Sequence, residues 1–272
     1  MPTLLALALL AFGLLPAAAG TATTLPAKKT VAVLAFDNNT GKSDYDHLGQ
    51  GMAAMMTTDL AAVDEIQLLE RERLADVTKE IDAQRSRYFD STTAVKVGRL
   101  AGAQYIVIGS LAAVDPQVRI DTRIVRVETG AIVKTAKVSG KQEDFFDLQK
   151  RLTKQLVKDL DIALTPEGEA KLDARQQANR VDDMDAMVKI SNAMSLADAG
   201  DYGGATFKIA PVVAKYPNSA FVKMTSDEIK QRASRKTEQK AKQGVDKAEQ
   251  KAKDEINKGV NKLIKKKWPP GT

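Results

Sequence analysis

The spacing of hydrophobic and polar positions changes several times along the chain, and each spacing predicts a different element. A nearly continuous apolar run over residues 30–36 ends in the turn sequence Asp37-Asn38-Asn39-Thr40-Gly41. A run of this length bounded by turn residues is typical of a strand that is buried on both faces. We therefore expect a sheet with helices on both of its faces.

Helical spacing follows this strand. Apolar residues recur every three or four positions from Asp44 to Ala62, which predicts an amphipathic helix. Three further elements are then predicted: a strand at Ile66 to Leu69, a helix opened by Glu70 that continues to Ile81, and a helix capped by Ser91 or Thr92, with apolar Val95, Val97, Leu100 and Ala101, that ends at Gly102.

Residues from Tyr105 to Val138 predict an antiparallel meander of three strands. Within it, apolar and polar residues alternate from Val118 to Val127, which predicts a strand with one buried face and one solvent-exposed face. A transmembrane β-hairpin alternates in the same way. We favour a half-exposed strand of a small sheet, because its apolar face is needed to cover the predicted helices.

The rest of the chain has helical spacing. A helix over Phe145 to Leu160 closes the first domain, and Thr165-Pro166 begins the next helix. Residues 193–219 then read as helix, tight turn and helix, which is similar to one tetratricopeptide-like hairpin. A lone hairpin cannot bury its apolar face unaided, so we expect it to pack on the first domain or on a partner chain.

The basic charge of the protein belongs to its C-terminal tail. Residues 230–267 hold 14 Lys/Arg against 5 Asp/Glu, whereas the whole chain has a net charge of only +6. Weakly apolar positions recur through residues 236–268 at a mean spacing close to 11/3, which predicts one long helix.

The end of this tail has two interpretations. It is either an interfacial helix that binds an anionic membrane surface or a simply solvated or coiled-coil-like helix. The candidate membrane or partner contacts are Ile256, Val260, Leu263, Ile264, Lys265, Lys266, Lys267 and Trp268.

The N-terminus predicts export. An apolar run from Leu4 to Leu15 is too short to span a bilayer and is followed by small residues, as in a signal peptide over residues 1–22. No Lys or Arg precedes the run, which departs from the usual pattern. We therefore expect the exported chain in the periplasm or at the outer membrane. Because it contains no cysteine, we expect it to fold there without disulfides.

These elements predict an α/β (α+β) fold with a mixed sheet and a helical extension. We expect an α/β domain over residues 28–163, a helical tetratricopeptide-like region over 164–235 and a basic amphipathic helical tail over 236–268.

The sequence offers little catalytic chemistry. The only imidazole is His47, which has no serine motif near it, and the loop ending in Gly41-Lys42-Ser43 has Phe36 where a phosphate-binding loop needs glycine. The acids of that loop lack the spacing of a calcium loop. We therefore predict a protein that is not an enzyme, with no cofactor, no catalytic residues and no metal ligands. Export and the scarcity of aromatic residues in the tail argue against a nucleic-acid partner.

Five segments carry a family resemblance that covers about half of the chain, roughly residues 28–163: Val31-Ala32-Val33-Leu34-Ala35-Phe36, Leu48-Gly49-Gln50-Gly51-Met52, Leu68-Leu69-Glu70-Arg71-Glu72-Arg73-Leu74, Gly102-Ala103-Gln104-Tyr105-Ile106-Val107-Ile108-Gly109-Ser110-Leu111 and Arg126-Val127-Glu128-Thr129-Gly130-Ala131-Ile132-Val133. In their order and spacing these segments resemble the CsgG family (curli production assembly/transport component) and its relatives, including the N-terminal domain of the Tol-associated propeller protein. The resemblance implies a periplasmic α/β domain that assembles or docks with others. In the founding member of the family, the resembling domain belongs to a lipidated outer-membrane secretion ring.

The chain departs from that member because it lacks the lipidation cysteine and a clear pair of inserted membrane hairpins. We therefore expect an exported protein that supports assembly or secretion of a curli-like surface structure through contacts with other envelope proteins and with copies of itself. One alternative is an outer-membrane secretion pore subunit whose hairpin comes from Val118 to Val138. Another is a ligand-binding periplasmic domain that uses the loop from Asp37 to Asp46.

Overall fold

The computed structural model describes residues 28–69, 74, 91–113 and 117–267. The expected signal peptide, most of the helix expected from Glu70 to Ile81, and Trp268 lie outside these residues. Leu74 is described and is buried.

One mixed sheet forms the centre of the first domain, because the long apolar runs pair with one another. Its strands are β1 (Lys29–Val33), β2 (Asp37–Asn38), β3 (Ile66–Leu68), β4 (Tyr105–Ala113), β5 (Gln117–Arg126) and β6 (Ile132–Lys141). The order is β3-β1-β4-β5-β6, and β2 pairs with β4 off this path. β1 is parallel to both of its neighbours, with Val31 opposite Leu68 on one side and Tyr105 on the other. The prediction of a strand buried on both faces is confirmed.

The expected meander is formed by β4, β5 and β6, which are antiparallel. Along β5, Val118, Ile120 and Ile124 are buried while Arg119 and Arg123 are exposed, as the alternation predicted. The turn between β5 and β6 contains Gly130 at φ +71°, a backbone conformation that favours glycine. The apolar face of the hairpin thus contributes to the core of the domain.

Seven helices lie among the described residues: α1 (Leu48–Leu60), α2 (Ser91–Ala101), α3 (Phe145–Asp159), α4 (Pro166–Ala178), α5 (Met184–Asp198), α6 (Tyr202–Lys215) and α7 (Ala220–Lys267). Residues of α1 and α3 pack on one face of the sheet, and those of α2 pack on the other. The expected arrangement of helices on both faces is confirmed.

Two details differ from the prediction. The first long helix begins at Leu48 rather than Asp44, because a separate 3-10 turn occupies Ser43–Tyr45. Leu100, which was expected on the apolar face of α2, is 56% exposed, whereas Ala94 and Val97 are buried against the sheet.

Phe36 packs where β1 leaves the sheet, and two glycines make room for it. A Cβ atom at Gly49 would lie 1.8 Å from the Phe36 carbonyl oxygen, and one at Gly109 would lie 1.9 Å from its ring. The Phe36 amide donates to the carbonyl oxygen of Gly49 at 3.2 Å. Any larger residue at either position would overlap Phe36.

The helical region packs directly on the first domain. α5 lies against α1 so closely that a Cβ atom at Gly51 would lie 2.1 Å from the Ser191 hydroxyl oxygen. Apolar side chains of α5 and of the start of α7, such as Met187 and Phe221, join the same core as the helices on the sheet. Packing on the first domain was one of the two expected arrangements.

α5 and α6 form the predicted helical hairpin, with Gly200 at φ +82° in the turn between them. The hairpin then leads into α7, which is one continuous helix from Ala220 to Lys267. Its first four turns contact the body of the protein, and its side chains from Thr237 to Leu263 are all exposed. No helix among the described residues is both long and apolar enough to cross a membrane.

Candidate protein-interaction site

The polar loop after β1 is held by its own hydrogen bonds. The Asn38 amide donates to the Lys42 carbonyl oxygen at 2.7 Å and to the Asp46 carboxylate at 2.6 Å. The Asn38 side-chain oxygen accepts from the backbone and the hydroxyl of Thr40. These contacts make the loop a series of turns, and the described residues contain no group of three or more His, Cys, Asp or Glu that could hold a metal ion.

A cleft of about 730 Å³ opens beside this loop. It lies where β1 ends, between α1 on one side and α5 and α7 on the other. Much of its lining is apolar and comes from distant parts of the chain: Ala53, Ala54, Leu69, Leu74, Met194, Phe221 and Met224. Met224 is 51% exposed, so one wall of the cleft offers an apolar side chain to solvent.

Among the described residues, the charged groups that line the cleft are acidic. Asp46, Asp198, Asp227 and Glu228 line it together with His47, and no Lys or Arg occurs among the described lining residues. An apolar depression with acidic groups around it complements an apolar side chain flanked by basic ones.

Arg232 fixes two of these acids from outside the cleft. Its guanidinium lies 2.7 Å from the Asp198 carboxylate and 3.5 Å from that of Glu228, and it also donates to the Ala197 carbonyl oxygen. Burial lowers the pKa of Arg232, but the hydrogen bond and charge of Asp198 outweigh it and leave that pKa raised. Gln50 of α1 donates to the same Asp198 carboxylate. These contacts hold α1, α5 and α7 around the cleft.

A buried carboxylate lies on the other side of α1. Asp59 is fully buried and accepts hydrogen bonds from the side-chain amides of Gln149 at 2.9 Å and Asn179 at 2.7 Å. Burial raises the pKa of Asp59, and the hydrogen bonds from these amides offset part of that rise. Through this cluster α1 is tied to α3 and to the end of α4.

The buried amides of this cluster are only half satisfied. The side-chain oxygens of Gln149, Gln176 and Asn179 have no hydrogen-bond partner among the described residues. The amides of Gln149 and Asn179 donate to Asp59 and so favour its ionised form, while burial favours its neutral form and raises its pKa.

The predicted contacts of the tail lie on its exposed end. Ile256 is 65% and Leu263 68% exposed, and Val260 is exposed as well. Lys267 closes the described helix, the side chains of Ile264, Lys265 and Lys266 are not described, and Trp268 lies outside the described residues. The structure does not bring this group together with the cleft, to which α7 contributes only residues of its first turns.

The cleft was not predicted from the sequence. Its walls come from β1, α1, α5 and α7, which are far apart in the chain, and no local spacing indicates that they meet. One signal was present: Gly51 lies within an amphipathic helix, where a glycine indicates close approach of another element.

Comparisons with known proteins find similarity to part of this chain. Residues 17–119 match the model of the curli production assembly/transport component CsgG. A Rhizobium meliloti (strain 1021) protein that bears an adenylate cyclase name is 28% identical over 152 residues, which are 56% of this chain. The chain spans only 24% of the length of that relative.

Among solved structures, the LpoB C-terminal domain from Salmonella enterica is 18% identical with a TM-score of 0.37, over 44% of this chain and 87% of that one. A PelC dodecamer from Paraburkholderia phytofirmans is 15% identical with a TM-score of 0.31, over 50% of this chain and 90% of that one.

Proposed function

The resemblance of this chain to the CsgG family is confirmed over residues 17–119, and on this premise we propose that it is an exported periplasmic or outer-membrane-associated protein. In this proposal it supports assembly or secretion of a curli-like surface structure through protein contacts rather than catalysis. The cyclase name belongs to a longer relative, of which the matched segment is only 24%. The alternatives of a secretion pore subunit and of a ligand-binding domain stay predictions.

The acidic cleft is the observation that supports action through protein contacts. Its partly exposed apolar wall and its four acidic residues, two of which already pair with Arg232, fit a segment of an envelope partner that inserts an apolar side chain beside a Lys or Arg residue. Arg232 and Gln50 hold the rim in place, so the cleft needs little rearrangement to bind such a segment.

The export part of the proposal is tested with a fusion of the full chain to alkaline phosphatase, which is active only after export from the cytoplasm. We expect an active fusion, and deletion of the apolar run from Leu4 to Leu15 should abolish its activity. A fusion that stays inactive while it accumulates would contradict export.

The contact part is tested in the bacterium that encodes the chain. Deletion of the gene should reduce the surface polymer, measured by dye binding to whole cells, and the unaltered gene should restore it. Met224→Lys places a cation on the apolar wall and should restore the polymer poorly. The control is Phe207→Lys, because Phe207 is 84% exposed on α6 and does not line the cleft.

Both variant proteins are checked for equal abundance and equal unfolding midpoints. A cell surface that is unchanged by the deletion would refute the assembly role. Full restoration by Met224→Lys would refute the role of the cleft and leave the family premise intact.

A further inference from the structure

The tail helix is an exposed rod with a defined length. Lys236 of α7 is tied to the body through a 2.8 Å hydrogen bond from its ammonium group to the Gly200 carbonyl oxygen. From there the helix continues over residues 237–267 and every described side chain up to Leu263 is exposed. At 1.5 Å per residue this rod is about 46 Å long, and its middle residue is 252.

The apolar stripe on the rod is symmetric about the same residue. Its members are Ala241, Val245, Ala248, Ala252, Ile256, Gly259 and Leu263. Their spacings are 4, 3 and 4 residues on either side of Ala252. The mean spacing is close to 11 residues per three turns, so the stripe follows one face of a nearly straight helix.

The sizes of these residues are complementary when two such stripes run antiparallel with Ala252 opposite Ala252. Leu263 then faces Ala241 of the second copy, Ile256 faces Ala248, and Val245 faces Gly259. Each larger side chain meets a small one, which is the condition for close packing of two helices. Within its own chain, a Cβ atom at Gly259 would have nothing within 4 Å, so no contact within the chain requires a glycine there. The pairing explains why a small residue occupies this position.

The charges beside the stripe agree with this register. On one flank Glu249 lies beside Lys253 of the second copy, and on the other flank Lys251 lies beside Glu255 of the second copy. Near the ends, Glu238 comes beside Lys267 of the second copy. In an antiparallel pair, residues on the same side of the stripe meet, so opposite charges face each other along both flanks.

From these observations we propose that the tail helices of two copies of this chain pair antiparallel, centred on Ala252. The overlap from Ala241 to Leu263 is about 33 Å long and brings each helix end to the body of the other copy. This surface is separate from the acidic cleft, so the pairing goes beyond the proposed function and does not depend on it.

Cysteine trapping tests the register, because the chain has no cysteine of its own. In full-length protein, Ala252→Cys should form a disulfide-linked dimer under mild oxidation. Ala241→Cys should not, because in the antiparallel pair the two copies of residue 241 lie about 33 Å apart. Disulfides at both positions would indicate a parallel pair and overturn the proposal, as would the absence of a disulfide at position 252.

A charge exchange tests the pairing without any crosslink. Glu249→Lys alone and Lys253→Glu alone each place four like charges on one flank, and each should weaken dimerisation roughly tenfold in sedimentation equilibrium. A mixture of the two variants should form a heterodimer at least as tight as the unaltered dimer, because opposite charges then meet across the pair. A change that acted only within one helix would not be rescued by mixing.

The competing occupant of the stripe is a membrane. Vesicles of phosphatidylglycerol and phosphatidylcholine are added to the full-length protein, and flotation and sedimentation are compared. Protein that remains monomeric in solution at all concentrations and binds these vesicles through Ile256 and Leu263 would overturn the pairing. A dimer that does not float supports it.

Discussion

The helices α1 and α7 both contain glycines in amphipathic segments, yet the glycines have opposite surroundings. In α1, Gly49 and Gly51 leave room for the backbone of Phe36 and the hydroxyl of Ser191. In the tail part of α7, Cβ atoms at Gly244 and Gly259 would have nothing within 4 Å. The comparison shows that the glycines of α1 permit tight packing, whereas in the tail the cost of a glycine in helix stability is not offset by any contact within the described chain.

The largest effect is expected in α1, where the glycines are tightly packed. Gly49→Ala places a methyl group 1.8 Å from the Phe36 carbonyl oxygen, and backbone at that distance cannot move aside as a flexible side chain could. We expect a loss of about 3 kcal/mol or more in the free energy of unfolding. Urea unfolding followed by circular dichroism measures it.

The matched control is Gly203→Ala. Gly203 is also a helical glycine, but a Cβ atom there would have its nearest neighbour, the Asp201 carboxylate, at 3.8 Å. That change should leave stability unchanged or slightly higher. Equal stability of the two variants would show that Phe36 does not pack on α1 in this way.

A second effect concerns the buried carboxylate that joins α1 to α3 and α4. Because burial raises the pKa of Asp59 above its usual 3.8, the unfolded chain loses this proton first as pH rises. The contribution of Asp59 to stability is therefore complete below about pH 3.8 and is lost as pH rises through the raised pKa of the folded state. Asp59→Asn should remove this loss.

The measurement is the free energy of unfolding of both proteins between pH 3.5 and pH 8. The difference between them isolates Asp59, since the carboxylates of Asp64 and Asp173, whose pKa values are lowered, are common to both. We expect the free energy of unfolding of Asp59→Asn to increase relative to that of the unaltered protein as pH rises. A difference that stays constant with pH would contradict a raised pKa. Asp59→Ala, which removes the acceptor of two buried amides, should cost about 2 kcal/mol at neutral pH.

Local spacing was enough to predict the sheet and most helices, because each strand and helix buries a face that its own residues define. β5 shows this best: the alternation of Val118, Arg119 and Ile120 predicted which side chains are buried. Spacing could not predict the start of α1, because the chain before it is held in turns by Asn38, whose partners lie up to eight residues away.

The site was less predictable than the fold. The cleft needs Met194 and Phe221 to meet residues of β1 and α1, and the only local sign of that approach was Gly51. The tail, in contrast, was predicted as one helix from its repeat, and its continuity with the body from Ala220 became visible only in the structure. Contacts between distant segments depend on shape, which a periodic pattern does not describe.

The smallest effect is expected in the tail part of α7, where the glycines are exposed. Gly244→Ala adds a methyl group that meets nothing within 4 Å and should stabilise the tail helix by up to about 1 kcal/mol without changing the unfolding midpoint of the body. Hydrogen exchange of the amides around residue 244 measures this local gain as slower exchange. Because Gly244 lies outside the proposed stripe, Gly244→Ala should leave dimerisation equal or stronger, whereas Gly259→Leu should weaken it by facing Val245 of the second copy with a larger side chain. If both substitutions slowed hydrogen exchange and neither changed the strength of dimerisation, the tail helices would not pair with each other. The tail glycines would then only lower the stability of the helix.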